Sequence, residues 1–214
     1  MIDPRVVHSI TVEMCTGFLL LGCVAVIVKV IADAWVKYFG KRSTRLTDWA
    51  IKASKFAEPA SFFGLLAGVL VTFVSMVTGS LAWPADQLMA STTAHNKIMT
   101  TVTTQTVFIG AVLIRAKFHE DVWTTKSTKT LYVFIVLAGL TLLTLQNSVA
   151  GHLAGKGSVL DDFFHSIGVD TQKMWLFPDW ASMLIIVAFP IAALLVMLLI
   201  RRQSKTVRPR ATPG

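Results

Sequence analysis

Three histidines and one carboxylate have the residue types and positions to do chemistry: His8, His95, His152 and Glu13. A neutral imidazole can ligate haem iron, copper or zinc, and helical bundles build such sites from side chains on facing helices. Two imidazoles suffice for haem b, and His95 with His152 form the candidate axial pair, with His8 able to replace either. His8, Glu13, His95 and His152 together would instead make a donor set for copper or zinc. The same rings can also serve as amphipathic caps at helix ends, with no ligand at all. His152 stands in "VAGHLAGKG", where small neighbours would let another group approach. Glu13 follows His8 by five residues, just inside an apolar run. An ionised acid at a membrane centre costs about 2.5–3.5 kcal/mol, and less near the edge. Glu13 should therefore be protonated or paired, with His8, His95, Lys97 or a metal as partner.

The elements that position these residues follow from composition. Of 214 residues, 54% are hydrophobic and 15% charged, a balance that suits lipid better than a water-facing surface. Apolar runs at about 10–28, 61–83, 95–114, 131–150 and 180–200 approach the roughly 20 residues that cross a bilayer core. The expected fold is an all-α integral membrane protein with five transmembrane helices. Residues 1–160 would form a four-helix bundle, 161–179 an extracytoplasmic loop, and 180–214 a fifth span with a basic tail. The third run is threonine-rich and predicts a helix inside the bundle, its hydroxyls bonded to backbone or to neighbouring helices. Gly64 and Gly68 form a GxxxG on the second run and predict a close helix contact. Pro190 predicts a kink in the fifth. Cys15 and Cys23, eight apart on one helix, read as small packing residues. In the loop, Phe163, Phe164 and Ile167 have helical spacing, with Asp161 and Asp162 near the start, which predicts a short surface helix.

Charge sets the expected orientation. Seven Lys and Arg lie between residues 29 and 55, four between 115 and 129, and five beyond 200, so sixteen of twenty share one side. Arg5, Lys97, Lys156 and Lys173 lie on the other. The positive-inside tendency predicts a plasma-membrane protein with its N-terminus outside and its C-terminus in the cytoplasm. The net charge of +8 then needs no nucleic acid to explain it. The outer side would hold His8, His95, His152 and His165, and only His119 would face the cytoplasm. The opening residues suggest no cleavable signal peptide. No phosphate loop, GxGxxG, HExxH, CxxC or nucleophile elbow occurs.

Three stretches carry a family likeness: "DPRVVH" at 3–8, "AHNKIMTTVTTQTVFIGAVLIR" at 94–115 and "NSVAGHLAGKG" at 147–157. Over residues 1 to about 160 the chain resembles a bacterial and archaeal family of small four-helix membrane proteins of unknown function. These open with HPxxVH, begin their third helix with a histidine and end the fourth with a GGxLxY-type turn. The resemblance implies a haem b or redox membrane module with His8, His95 and His152 as its ligands. Here Asp3 stands for the first histidine, "GHLAG" interrupts the glycine pair, no tyrosine follows, and a fifth helix is appended. The function expected is a redox subunit of a larger membrane complex. The rival from another class is a cofactor-free accessory subunit packed against membrane partners.

Overall fold

A computed structural model describes residues 3–40, 44–168 and 177–206. It is helical throughout, with no strand among the described residues. The helices are α1 (Pro4–Phe39), α2 (Thr44–Ala82), α3 (Ala85–Met89), α4 (Thr92–Phe118), α5 (Lys126–Leu153), α6 (Val159–Ser166) and α7 (Asp179–Thr206), with a 3₁₀ turn at His119–Trp123. Four of them, α1, α2, α4 and α5, are long and apolar enough to cross a membrane. Over the described side chains the apolar stretch of α7 is Asp179–Leu195, so four helices meet that criterion and α7 is not counted among them. The helix runs on through Pro190. Residues 41–43, the second half of the expected loop at 169–176, and the end of the basic tail at 207–214 lie outside the described residues.

α1 starts where Asp3 accepts a hydrogen bond from the Arg5 N–H at 2.9 Å and Pro4 occupies the first helical position. At 36 and 39 residues, α1 and α2 are each longer than a bilayer with its headgroups, about 54 and 58 Å against 40–45 Å. They pack as an antiparallel hairpin. A Cβ on Gly64 would lie 2.8 Å from the Gly22 nitrogen, and one on Gly68 would lie 2.5 Å from the Leu19 side chain, so the GxxxG does bring two backbones together. We expect Gly64→Ala to cost roughly 1–3 kcal/mol, because backbone rather than a movable side chain blocks the new methyl. Gly17→Ala, with open space around it, should be close to neutral. Thermal unfolding in detergent distinguishes the two outcomes.

α4 holds its threonines as expected. Thr101, Thr104 and Thr106 each donate to the carbonyl four residues back, which lets hydroxyls sit at membrane depth without a foreign partner. Gln105 donates to the Val69 carbonyl at 2.9 Å and ties α4 to α2. The core between the helices contains Leu19, Val26, Leu65, Phe108, Tyr132 and Val136. Cys15 and Cys23 are buried there as free thiols. The short helix expected in the loop is present as α6, with Phe163 exposed on it and Ile167 exposed just beyond its end.

Candidate functional site

At the histidine end of the bundle, three consecutive residues of α4 do most of the fastening. His95 is 3% exposed and its Nδ1 donates to Asp179 Oδ1 at 2.9 Å, across 84 positions of sequence. Asn96 is fully buried: its amide donates to the Phe177 carbonyl at 3.0 Å and accepts from the Phe177 N–H at 2.8 Å. Lys97 donates to the Gln146 carbonyl of α5 at 3.3 Å. One turn of α4 thus clamps the start of α7 with two residues and α5 with the third.

The Asp179 bond also fixes the imidazole. An ionised carboxylate only accepts, so the proton sits on Nδ1 and a neutral ring carries its lone pair on Nε2. That Nε2 is buried and has no hydrogen-bond partner. It is one of eight buried side-chain atoms without a protein partner among the described residues, and an atom of this kind is ordinarily completed by a water or a ligand. From the other side, the hydrogen bond from His95, with a second from Thr92, holds the Asp179 carboxyl below its ordinary value. A depressed acid stabilises the fold fully above its unfolded value of 3.8, and that contribution is lost as the pH falls through the lower folded value. We therefore expect hydrogen exchange at residues 177–182 to rise only below about pH 4. Asp179→Asn should abolish that acid step.

His8 has a similar arrangement. Its Nδ1 lies 3.0 Å from the Ser75 carbonyl and 3.4 Å from the Thr78 hydroxyl, and its ring covers Gly79, where a Cβ would come within 2.9 Å of Cε1. A carbonyl acceptor on Nδ1 again leaves the lone pair on Nε2. His8 and Cys15 on α1 each lie within electrostatic reach of Lys97 on α4.

His152 is held differently. Its Nε2 is bonded to Asp161 Oδ1 at 3.0 Å, and Asp161 Oδ2 accepts from the Ser158 N–H at 2.7 Å, so imidazole and carboxylate close the turn between α5 and α6. The small residues around it serve that turn. The Gly157 carbonyl presses where a Gly151 Cβ would sit, and Gly155 and Gly157 both have φ of 69°.

Glu13 is exposed. Five residues separate it from His8, about 140° around the helix, so it turns away from the α1–α2 contact that holds His8. Lys97, one of its expected partners, bonds to Gln146 instead. Among the described residues, no group of three or more His, Cys, Asp or Glu side chains could hold a metal ion. On α5, Tyr132, Val136, Gly139, Leu143, Gln146 and Ser148 are buried, while Thr141 is exposed.

The basic end holds a second polar cluster that the sequence did not reveal. Asp33 accepts from Lys29 at 3.2 Å, Ser54 at 2.7 Å and Lys129 at 3.2 Å, and the Trp123 ring lies 5.2 and 5.8 Å from the two ammonium groups. Arg115 pairs with Glu58 at 2.6 Å. Lys29, Lys129 and Arg115 counted in the sequence only as cytoplasmic charges. The four-residue spacing of Lys29 and Asp33 was the one local signal of pairing.

Long apolar helices in a bundle, with polar clusters confined to its two ends, define a polytopic α-helical membrane protein. No family model, curated protein or solved structure matches the chain, so the assignment stops at that class.

Proposed function

We propose that the chain is a membrane redox subunit in which His95 ligates haem b at the extracytoplasmic end of the bundle. The supporting observation is the buried His95 ring, oriented by Asp179 through Nδ1, with an unpartnered Nε2. Ligating histidines characteristically bond their second nitrogen to a carboxylate or carbonyl, which fixes the tautomer and raises ligand basicity. His8 meets the same condition through Ser75 and is the better second ligand. His152 is the weaker one, because Asp161 already engages its Nε2. Haem b would supply one-electron transfer; the chain's own part is to orient the imidazoles and to hold α7 over them through Asn96 and Asp179. A copper or zinc site would need further donors, and Glu13 turns away from His8.

The reading includes α7 as a fifth span, an outer N-terminus and a cytoplasmic basic end, supported by the sixteen-to-four division of Lys and Arg. The likeness of "DPRVVH" and "AHNKIM" to the four-helix family supports the same use of His8 and His95. A visible spectrum of the purified protein tests the proposal. A Soret band with sharp α bands on reduction is the expected result. Its absence, together with no copper or zinc by metal analysis, would transfer the assignment to a cofactor-free accessory subunit.

A further inference from the structure

The basic ends of α1 and α2 form an apolar groove of about 240 Å³. Ile31 and Trp35 line it from α1, Leu46 and Trp49 from α2, and the buried Ala32 and Ala50 lie between them. We propose that this groove holds one acyl chain of an anionic phospholipid, with the lipid phosphate between Arg45 and Lys52.

Three observations converge on that occupant. The first is depth. The apolar run of α1 ends near Val28, and Trp35 lies seven residues further on, about 10 Å along the axis, so the groove leads from the hydrocarbon edge into the headgroup layer. The second is composition. Trp49 is 67% exposed and Tyr38 70%, and amphipathic aromatic rings are the residues that settle at this level of a bilayer. The third is charge. On α2, Arg45, Trp49, Lys52 and Phe56 recur at i, i+4, i+7 and i+11 and so share one side of the helix, all of them exposed. Exposed Lys37 and Lys55 add to the same end, where exposed Asp48 is the nearby acid. Cations interleaved with aromatic rings beside an apolar slot complement a negative headgroup above a hydrocarbon tail. A zwitterionic lipid or a neutral transmembrane helix would leave the cations without a counterpart.

Native mass spectrometry of the full chain, exchanged into detergent with equal phosphatidylglycerol and phosphatidylcholine, should show the anionic lipid retained in preference. Arg45→Gln with Lys52→Gln should reduce that preference about tenfold. Both positions are exposed, so helix content and thermal midpoint should not move. Equal retention of the two lipids by the unaltered protein overturns the proposal. Leu46→benzoylphenylalanine, irradiated in native membranes, gives the second reading. An adduct with the mass of an anionic phospholipid supports the assignment, whereas an adduct with a protein, with a second copy of this chain, or with nothing overturns it.

Discussion

Asp33→Ala is expected to destabilise the bundle by about 3 kcal/mol, the largest effect of any single change at the basic end. One carboxylate receives Lys29 from α1 and Lys129 from α5, and the Ser54 hydroxyl from α2. Lys29 is only 8% exposed, so it cannot exchange the lost partner for water without moving. Removing one member of a buried pair costs far more than removing both, because a desolvated charge is left alone. The figure sits at the low end of the usual range because the Asp33 side chain keeps 28% of its exposure and Lys129 keeps 30%, which lets solvent screen the pair. The double variant Lys29→Met with Asp33→Leu should recover most of the loss, since Lys129 can extend its stem toward water. Denaturant titration of the detergent-solubilised protein compares the two. Equal destabilisation by the single and double variants would show that packing, rather than an unpaired cation, sets the cost.

If the proposed haem is bound, His95→Ala should remove it completely while the bundle still inserts, because His95 Nε2 is the buried imidazole nitrogen left without a partner among the described residues. Asp179→Asn should weaken haem binding about 10–100-fold without abolishing it, as expected for the group that orients a ligand rather than the ligand itself. His8→Ala should match the His95 variant. His152→Ala should leave the spectrum intact and cost on the order of 1 kcal/mol, the worth of one ordinary hydrogen bond, through its lost contact with Asp161. Absorbance per mole of purified protein, read with thermal stability, decides among them. Haem lost with His152 and kept without His8 would reinstate the His95 and His152 pair.

Several features were legible without coordinates because they depend on residues near one another in the chain. Apolar run length located the cores of the four helices long and apolar enough to cross a membrane. The threonine run of α4 implied hydroxyls bonded to backbone, and Gly64 with Gly68 implied a close helix contact. Phe163, Phe164 and Ile167 marked α6. Helix lengths were less legible. α1 was expected over about 10–28 and extends from Pro4 to Phe39, because hydropathy registers the lipid-facing stretch and not the polar turns that continue it. The inward face of α5 was not legible either, because in lipid both faces of a helix are apolar and hydrophobicity does not distinguish inside from outside.

By itself the sequence determined the membrane class, the helical elements, the concentration of basic residues toward one side and the histidines able to carry chemistry. These are properties of composition and local spacing, which no partner can change. The tertiary structure decided which ring nitrogens are free. It placed Asp179 against His95 across 84 positions, Phe177 against Asn96 across 81 and Asp33 against Lys129 across 96, and it turned Glu13 away from His8. Such pairings depend on how the helices rotate and meet. That rotation is set by close contacts such as Gly22 on Gly64 and by buried hydrogen bonds between distant segments, neither of which leaves a periodic signal in the chain.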